Sequence, residues 1–348
     1  MRWKFWQQTD PVYMDDTGNS TNTVLKLAGG LIGVYLLISV LLSWWWDFEP
    51  GEFAVTENAT RMAATSNDTL VTGYVTTATL VTLSDTLLTK RGGYLSNDVF
   101  PPGIWMDNVP NWEFGVLTIV RDTARVYRND LSRSQSQSVE DKDLAEAEGK
   151  FFFDNSSWAL PQTEDEYRDG IKLVQSYLAR LADSSATDAQ FYARADNLQQ
   201  WLAAVETRLG SMSQRLSASV GKRQLNTDLA GDSAAQQATD APQDQLVKTP
   251  WLEIDDVFYE TRGFTWALLH LLRAMEQDFG DVLDKKNARV SLQQIIRELE
   301  PTQEPLWSPM VLNGDGLGLL ANHSLVMASY VSRANAGITD LRTLLAQG

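Results

Sequence analysis

The sequence predicts a mostly α protein: one N-terminal transmembrane helix followed by an elongated helical bundle with heptad-patterned helical hairpins. Two observations carry this expectation. Leu27 to Trp46 (LAGGLIGVYLLISVLLSWWW) is an unbroken run without a charge, and about 20 such residues span a bilayer as a helix. Beyond it, apolar residues recur at 3-4 spacing over several long segments, the signature of helices that bury one face.

The membrane segment is the most direct reading. Its leucines, isoleucines and valines favour insertion by roughly 3–6 kcal/mol together. Trp44, Trp45 and Trp46 form an aromatic belt, and Asp47-Phe48-Glu49-Pro50 ends the run abruptly. A buried core helix has no use for either feature. A cleaved signal peptide would have a shorter apolar run and a small-residue cleavage site, so an uncleaved anchor is expected. Arg2, Lys4 and Lys26 precede the run, and Arg61 is the first basic residue after it. Basic residues favour the cytoplasmic side. With the large acidic remainder, this predicts a cytoplasmic tail (1–26), a span (27–46) and a domain on the far side. Gly29 and Gly33 stand as G-x-x-x-G, a spacing that lets two membrane helices approach closely.

The net charge is −16, and three basic and three acidic side chains cancel within residues 1–46, so the whole excess lies beyond the span. A pI near 4.6 excludes nucleic acid as a partner, which selects basic faces. The chain has no cysteine, which removes disulfides, thiol nucleophiles, cysteine-ligated zinc and iron–sulfur clusters. Its two histidines, His270 and His323, leave little for metal chemistry. No cofactor is expected.

Along the soluble part, residues 52–68 read as a connector with a helical turn. Residues 69–91 carry both helical and strand signals. Helix is favoured because Lys90-Arg91-Gly92 resembles a basic last turn with a glycine cap. Three glycines and three prolines in 92–111 forbid a regular element. A helix is expected from Trp112, then a short charged one within 139–150. Ile171, Val174, Leu178 and Leu181 mark one helix. Phe191, Ala195, Leu198, Leu202, Val205, Leu209, Met212 and Leu216 keep a heptad seam. The short break between them predicts an antiparallel hairpin, closing a domain over 47–223. Residues 224–248, rich in Gln, Asp, Ala and Thr, read as a flexible linker. Over 249–348 the C-terminal helices complete the bundle. They comprise a strong one through Phe264, Leu268, Leu271, Met275 and Phe279, one at about 285–300 and a last one from about Leu319. The last two are separated by a loop rich in proline and glycine.

Nucleophile and metal templates are absent: there is no H-E-x-x-H, G-x-S-x-G or Walker loop. His270, in LLHLLR, is more simply a satisfied bundle histidine than a ligand. Asn313 to Gly318 loosely suggests an ion loop but lacks alternating acidic ligands, and a glycine turn before a helix explains it as well. Asn58 and Asn67 head glycosylation triplets of a kind that arises by chance in Thr-rich chains.

The loop after Lys90-Arg91 is the more unusual feature. It sets Tyr94, Phe100, Trp105 and Trp112 beside Asn97, Asp98, Asp107, Asn108 and Glu113. These nine residues are the candidate interaction surface, since aromatic side chains in such company are favoured anchors. The bland alternative is that the aromatics tuck into the end of the bundle. Asp98, Asp107 and Glu113 also offer carboxylates for acid–base work.

At this loop the chain resembles a known family. Gly92-Gly93-Tyr94-Leu95-Ser96-Asn97-Asp98, Pro101-Pro102-Gly103, Asp107-Asn108, Pro110, Trp112-Glu113 and Gly115 look like a proteobacterial domain-of-unknown-function family of single-pass envelope proteins. The resemblance implies a Gram-negative inner-membrane protein with a periplasmic domain, and it supplies no activity. The leading functional expectation is a non-enzymatic envelope scaffold working through helix–helix and loop contacts. Its expected partners are the bilayer and either a second copy or another envelope protein. A periplasmic ligand-binding or sensing module comes second, and a carboxylate-dependent cell-wall hydrolase third.

Overall fold

The computed structural model describes residues 17–134, 138–186, 188–225, 244–308, 310–314 and 319–347. Among these, eleven α-helices dominate: α1 Thr17–Trp46, α2 Val55–Ser66, α3 Tyr74–Thr89, α4 Asn108–Val126, α5 Lys142–Phe151, α6 Thr163–Ala182, α7 Ala195–Ser217, α8 Ile254–Asp278, α9 Gly280–Lys285, α10 Arg289–Leu299 and α11 His323–Ala346. The strands are a single antiparallel pair, β1 Lys222–Leu225 and β2 Asp244–Val247.

Within α1, Thr23–Trp46 is long and apolar enough to cross a membrane. Its large side chains stand outside the fold: Leu31, Leu37 and Val40 are each more than half exposed. A core helix would bury them, so α1 is an appendage with an apolar surface.

The centre of the domain is the crossing of α4 and α8. At Gly115 a Cβ would lie 2.0 Å from the Glu260 carbonyl oxygen, and at Gly263 one would lie 2.0 Å from that of Trp112. Two helical backbones in direct contact leave no room for a side chain at either position, which is why glycine interrupts two otherwise strong helices. Around the crossing, Val116, Ile119, Val120, Phe264, Ala267, Leu268 and Leu271 are buried. The Trp112 and Trp266 rings meet at 5.1 Å. Asp278, the last residue of α8, closes the fold from the other side. Its carboxylate accepts the backbone N–H groups of Gly73 (2.8 Å) and Thr76 (2.7 Å) and the Thr76 hydroxyl (2.7 Å), and so caps the start of α3.

Several sequence expectations change. Helix is the outcome for 74–89, but Lys90 and Arg91 follow α3 rather than forming its last turn, and Gly92 and Gly93 carry the positive φ values (82° and 74°) that turn the chain. Helix α4 starts at Asn108, four residues before Trp112, because the Asp107 side chain accepts the Asn108 N–H and Pro110 is tolerated in a first turn. Helix α11 starts at His323, where the Asn322 side chain caps the Leu325 N–H; Leu320 lies before it, exposed.

The expected hairpin of α6 with α7 does not form. Residues 183–194 are a long connection, since α7 begins at Ala195 and not at Phe191. Helix α6 packs on α5 and α3, while α7 packs antiparallel on α11, where Glu206 takes the Thr339 hydroxyl at 2.6 Å and pairs with Arg342. The buried stripe of α7 (Leu198 to Leu216) meets Met327, Val331, Ala334, Ile338 and Leu341 of α11. Heptad spacing identified the buried face but carries no information about which helix covers it. Of the expected linker 224–248, residues 226–243 lie outside the described residues, and the flanks pair as the β1–β2 ribbon.

Candidate interaction surface and the anchor junction

The nine loop residues divide sharply. Tyr94, Asn97, Trp112 and Glu113 are buried, whereas Asp98, Phe100, Trp105 and Asp107 are exposed and Asn108 is partly covered. The buried set is an internal knot. Glu113, completely buried on α4, accepts the N–H groups of Leu95 (2.8 Å) and Ser96 (2.9 Å) and the Ser96 hydroxyl (2.5 Å). Lys90 lies 2.5 Å from Oε1, the oxygen that also takes Leu95, and reaches the Gly93 carbonyl. A buried carboxylate is tolerated only when paired and hydrogen-bonded in this way, and the arrangement welds the loop to α4. Asn97 donates to the Ser157 carbonyl (2.9 Å) and to Glu164 (2.7 Å), and the Tyr94 hydroxyl donates to the Asn155 carbonyl. Tyr94, Asn97, Trp112 and Glu113 thus hold the surface up rather than belong to it. Burial of this kind follows from helix register, which puts Trp112 and Glu113 on the side of α4 facing the fold once the helix starts at Asn108.

The three carboxylates considered for acid–base work do not converge. Glu113 is engaged as described. Asp98 is exposed, with Gly103 folded directly beneath its side chain. Asp107 belongs to another group, with Asp47 and Asp256. There Asp256 is pushed up to about 6, first by burial and then by the neighbouring Asp255, Asp107 and Glu253. Asn111 relieves it by donating to its carboxylate at 2.7 Å.

Of the exposed set, Phe100 and Trp105 belong to an apolar tip that Asp98 flanks. Pro101-Pro102 and the short turn Gly103–Trp105 present Val99, Phe100 (74% exposed), Ile104 and Trp105 (51%) outward. Beside the tip runs α1. The Tyr35 hydroxyl donates to the Pro101 carbonyl at 3.0 Å. At the far end of α1, Trp46 sits over Gly92 and Arg91 lies over the rings of Trp45 (4.4 Å) and Phe48 (5.1 Å). Trp44 and Trp45 remain exposed. Gly29 and Gly33 have nothing within 4 Å.

Sequence reasoning missed the junction that follows α1. Glu49 pairs with Arg262 at 2.6 Å, and Arg262 also donates to the carbonyls of Thr302, Gln303 and Glu304. One guanidinium therefore ties the exit of α1, helix α8 and the turn after α10 together. Glu52 pairs with Arg273 at 2.5 Å. Phe53 stacks on His270 with ring centroids 4.1 Å apart, and its N–H donates to His270 Nε2 at 3.0 Å.

Residues 19–348 match the family model described as an uncharacterised protein conserved in bacteria, DUF2333. The chain belongs to that family. The expectation of an uncharacterised bacterial family, read from the 92–115 loop, therefore holds over nearly the whole chain. No curated protein and no solved structure matches the chain.

A further opening lies beside the junction. A cleft of about 410 Å³ is lined by Phe258, Arg262, Leu306, Trp307, His323 and Tyr330. His323 lines it while accepting the Leu312 N–H on Nδ1 at 3.0 Å. His270, by contrast, is wholly enclosed. Among the described residues no group of three or more His, Asp and Glu side chains is placed to hold a metal ion.

Proposed function

We propose that this DUF2333 protein is a non-enzymatic scaffold of the bacterial envelope: a single-pass inner-membrane protein, N-terminus in the cytoplasm, that holds a helical periplasmic domain in a fixed attitude to the bilayer. The supporting observation is the junction. A flexible tether would only keep a domain near a membrane. Here Glu49–Arg262, Glu52–Arg273 and Phe53–His270 fasten the residues soon after Trp46 to α8, the longest helix of the domain, so a rotation of α1 is transmitted to the domain. Fixed orientation is what assembly through side-by-side contacts requires.

Self-association through α1 is the contact this reading favours. At 3.6 residues per turn, Gly29 and Gly33 lie roughly 120° around the helix from Tyr35 and Ser39, so a small-residue seam stays open while the loop occupies the other side. The test is the mass of the detergent-solubilised full chain by light scattering. A multimer that becomes a monomer in Gly29→Leu and Gly33→Leu supports the reading; a wild-type monomer at all concentrations sinks the self-association part. A periplasm-active reporter fused after Gly348 should be active and one before Met1 inactive; the reverse would overturn the topology.

One observation favours a second reading, ligand binding. The cleft beside the junction combines Trp307 and Tyr330 with Arg262 and His323, the mixed apolar and polar lining usual for small-molecule sites. Ligand-dependent quenching of tryptophan emission, lost in Trp307→Ala, would move the assignment to a sensing module.

A further inference from the structure

The apolar tip of the 92–107 loop has an unusual neighbour. Tyr35, whose hydroxyl meets the Pro101 carbonyl, stands eleven residues before Trp46, about 16 Å down the helix axis at 1.5 Å per residue. It therefore lies well inside the apolar Thr23–Trp46 segment, not at its end. Any bilayer that surrounds this segment, with a hydrocarbon core of about 30 Å, also reaches the tip. We propose that residues 99–105 form a re-entrant wedge that enters the hydrocarbon beside α1, with Phe100, Ile104 and Trp105 facing lipid. The proposal rests on α1 being a membrane span.

Three features of the wedge suit that setting. First, its outward side chains, Val99, Phe100, Ile104 and Trp105, are all apolar and all substantially exposed, which water disfavours and lipid does not. Second, part of its backbone is satisfied from within, as irregular chain at membrane depth requires. Pro101 and Pro102 have no N–H. Ile104, Trp105 and Met106 donate to the carbonyls of Phe100, Pro102 and Gly103, and the Pro101 carbonyl is taken by Tyr35. Third, α1 turns its more polar side to the contact. Tyr35 and Ser39 are one helical turn apart, and Ser39 is only 1% exposed within a helix that is otherwise exposed around it. Where the wedge leaves the apolar layer, Trp46 and Trp158 flank Phe100 around a cleft of about 310 Å³ whose charged lining is Asp98 and Glu164, and Arg91 sits on Trp45. Tryptophan and arginine side chains favour the headgroup level.

The absence of native cysteine makes the test clean. Single-cysteine full-length variants Ile104→Cys and Phe100→Cys carry an environment-sensitive fluorophore and are reconstituted into phosphatidylethanolamine–phosphatidylglycerol vesicles with or without nitroxide on the acyl chains. Leu37→Cys on α1 and Val139→Cys, 93% exposed beyond the far end of α4, are the references. The expected result is loss of fluorescence at 104 and 100 comparable to that at 37, with 139 unaffected. Quenching at 37 but not at 104 or 100 overturns the wedge, leaves the anchor standing and returns the tip to a protein-docking surface. No quenching at 37 overturns the anchor reading itself and the wedge with it.

Discussion

Lys90 and Glu113 face each other at 2.5 Å with side chains only 3% and 0% exposed, an ion pair sealed between the end of α3 and the first turns of α4. Removing one partner leaves the other charged and buried. Lys90→Met should therefore destabilise the domain by about 3–5 kcal/mol, read by denaturant unfolding in mild detergent. A loss below about 1 kcal/mol, the range of exposed pairs, would mean that water reaches the site.

The two loop tryptophans should separate by stability. Trp112, 1% exposed and packed on Trp266, should cost about 3–5 kcal/mol when cut to alanine. Trp105, half exposed at the wedge tip, should cost about 1 kcal/mol or less. Thermal melting of the two variants side by side checks this. A large loss at Trp105 would make it a plug of the fold and remove the exposed tip on which the wedge depends.

Gly263→Ala should be among the most damaging small substitutions in the chain. The added carbon would meet the Trp112 carbonyl at 2.0 Å, and that atom belongs to a helical backbone with no rotamer to relieve it. Overpacking typically costs about 1–3 kcal/mol and more where the backbone must shift, so the upper part of that range is expected. Gly149→Ala, with nothing within 4 Å of the added carbon and a helical position in the last turn of α5, should instead stabilise slightly, and circular dichroism melts of the pair give the comparison.

What was legible in the sequence was periodicity, and what was not was pairing. The stripe Leu198–Leu216 was read correctly as one buried face, yet α11 covers it and α6 does not. Spacing fixes a face through helix geometry alone, whereas the covering helix depends on chain path, and the connection 183–194 lets that path diverge. The apolar run 27–46 was plain because length and absence of charge are local properties. The junction was hidden for the opposite reason: Glu49 and Arg262 are 213 residues apart, and neither stands out in its own segment. In the candidate surface, side-chain type gave no means of telling Trp105 from Trp112; only the start of α4 at Asn108 decides which one points inward.

Acid should loosen the junction through His270. Phe53 N–H donates to Nε2 (3.0 Å), so that nitrogen is unprotonated, and Nδ1 at 2.7 Å from the Trp266 carbonyl carries the proton. Both nitrogens are thus committed to the neutral ring. Burial is the main reason its pKa is held down at about 4, with Arg273 adding to it and the Trp266 carbonyl opposing. An unfolded histidine titrates near 6.5. Between these values the unfolded chain binds the extra proton, so the contribution of His270 is complete above pH about 6.5, fades as pH falls and is lost below about 4, by about 3 kcal/mol in all. Asp256 acts in the other direction. Its pKa is raised to about 6, so the folded chain binds the proton first and stability rises as pH falls from 6 toward 4. The two slopes overlap, and wild type alone does not resolve them. His270→Gln does, because an amide can accept from Phe53 N–H and donate to the Trp266 carbonyl but does not titrate. Melting temperatures across pH 7 to 4 should fall more steeply in wild type than in the variant. Parallel profiles would mean that protonation of His270 leaves the Phe53 contact intact, and that acid does not act on the junction between α1 and the domain.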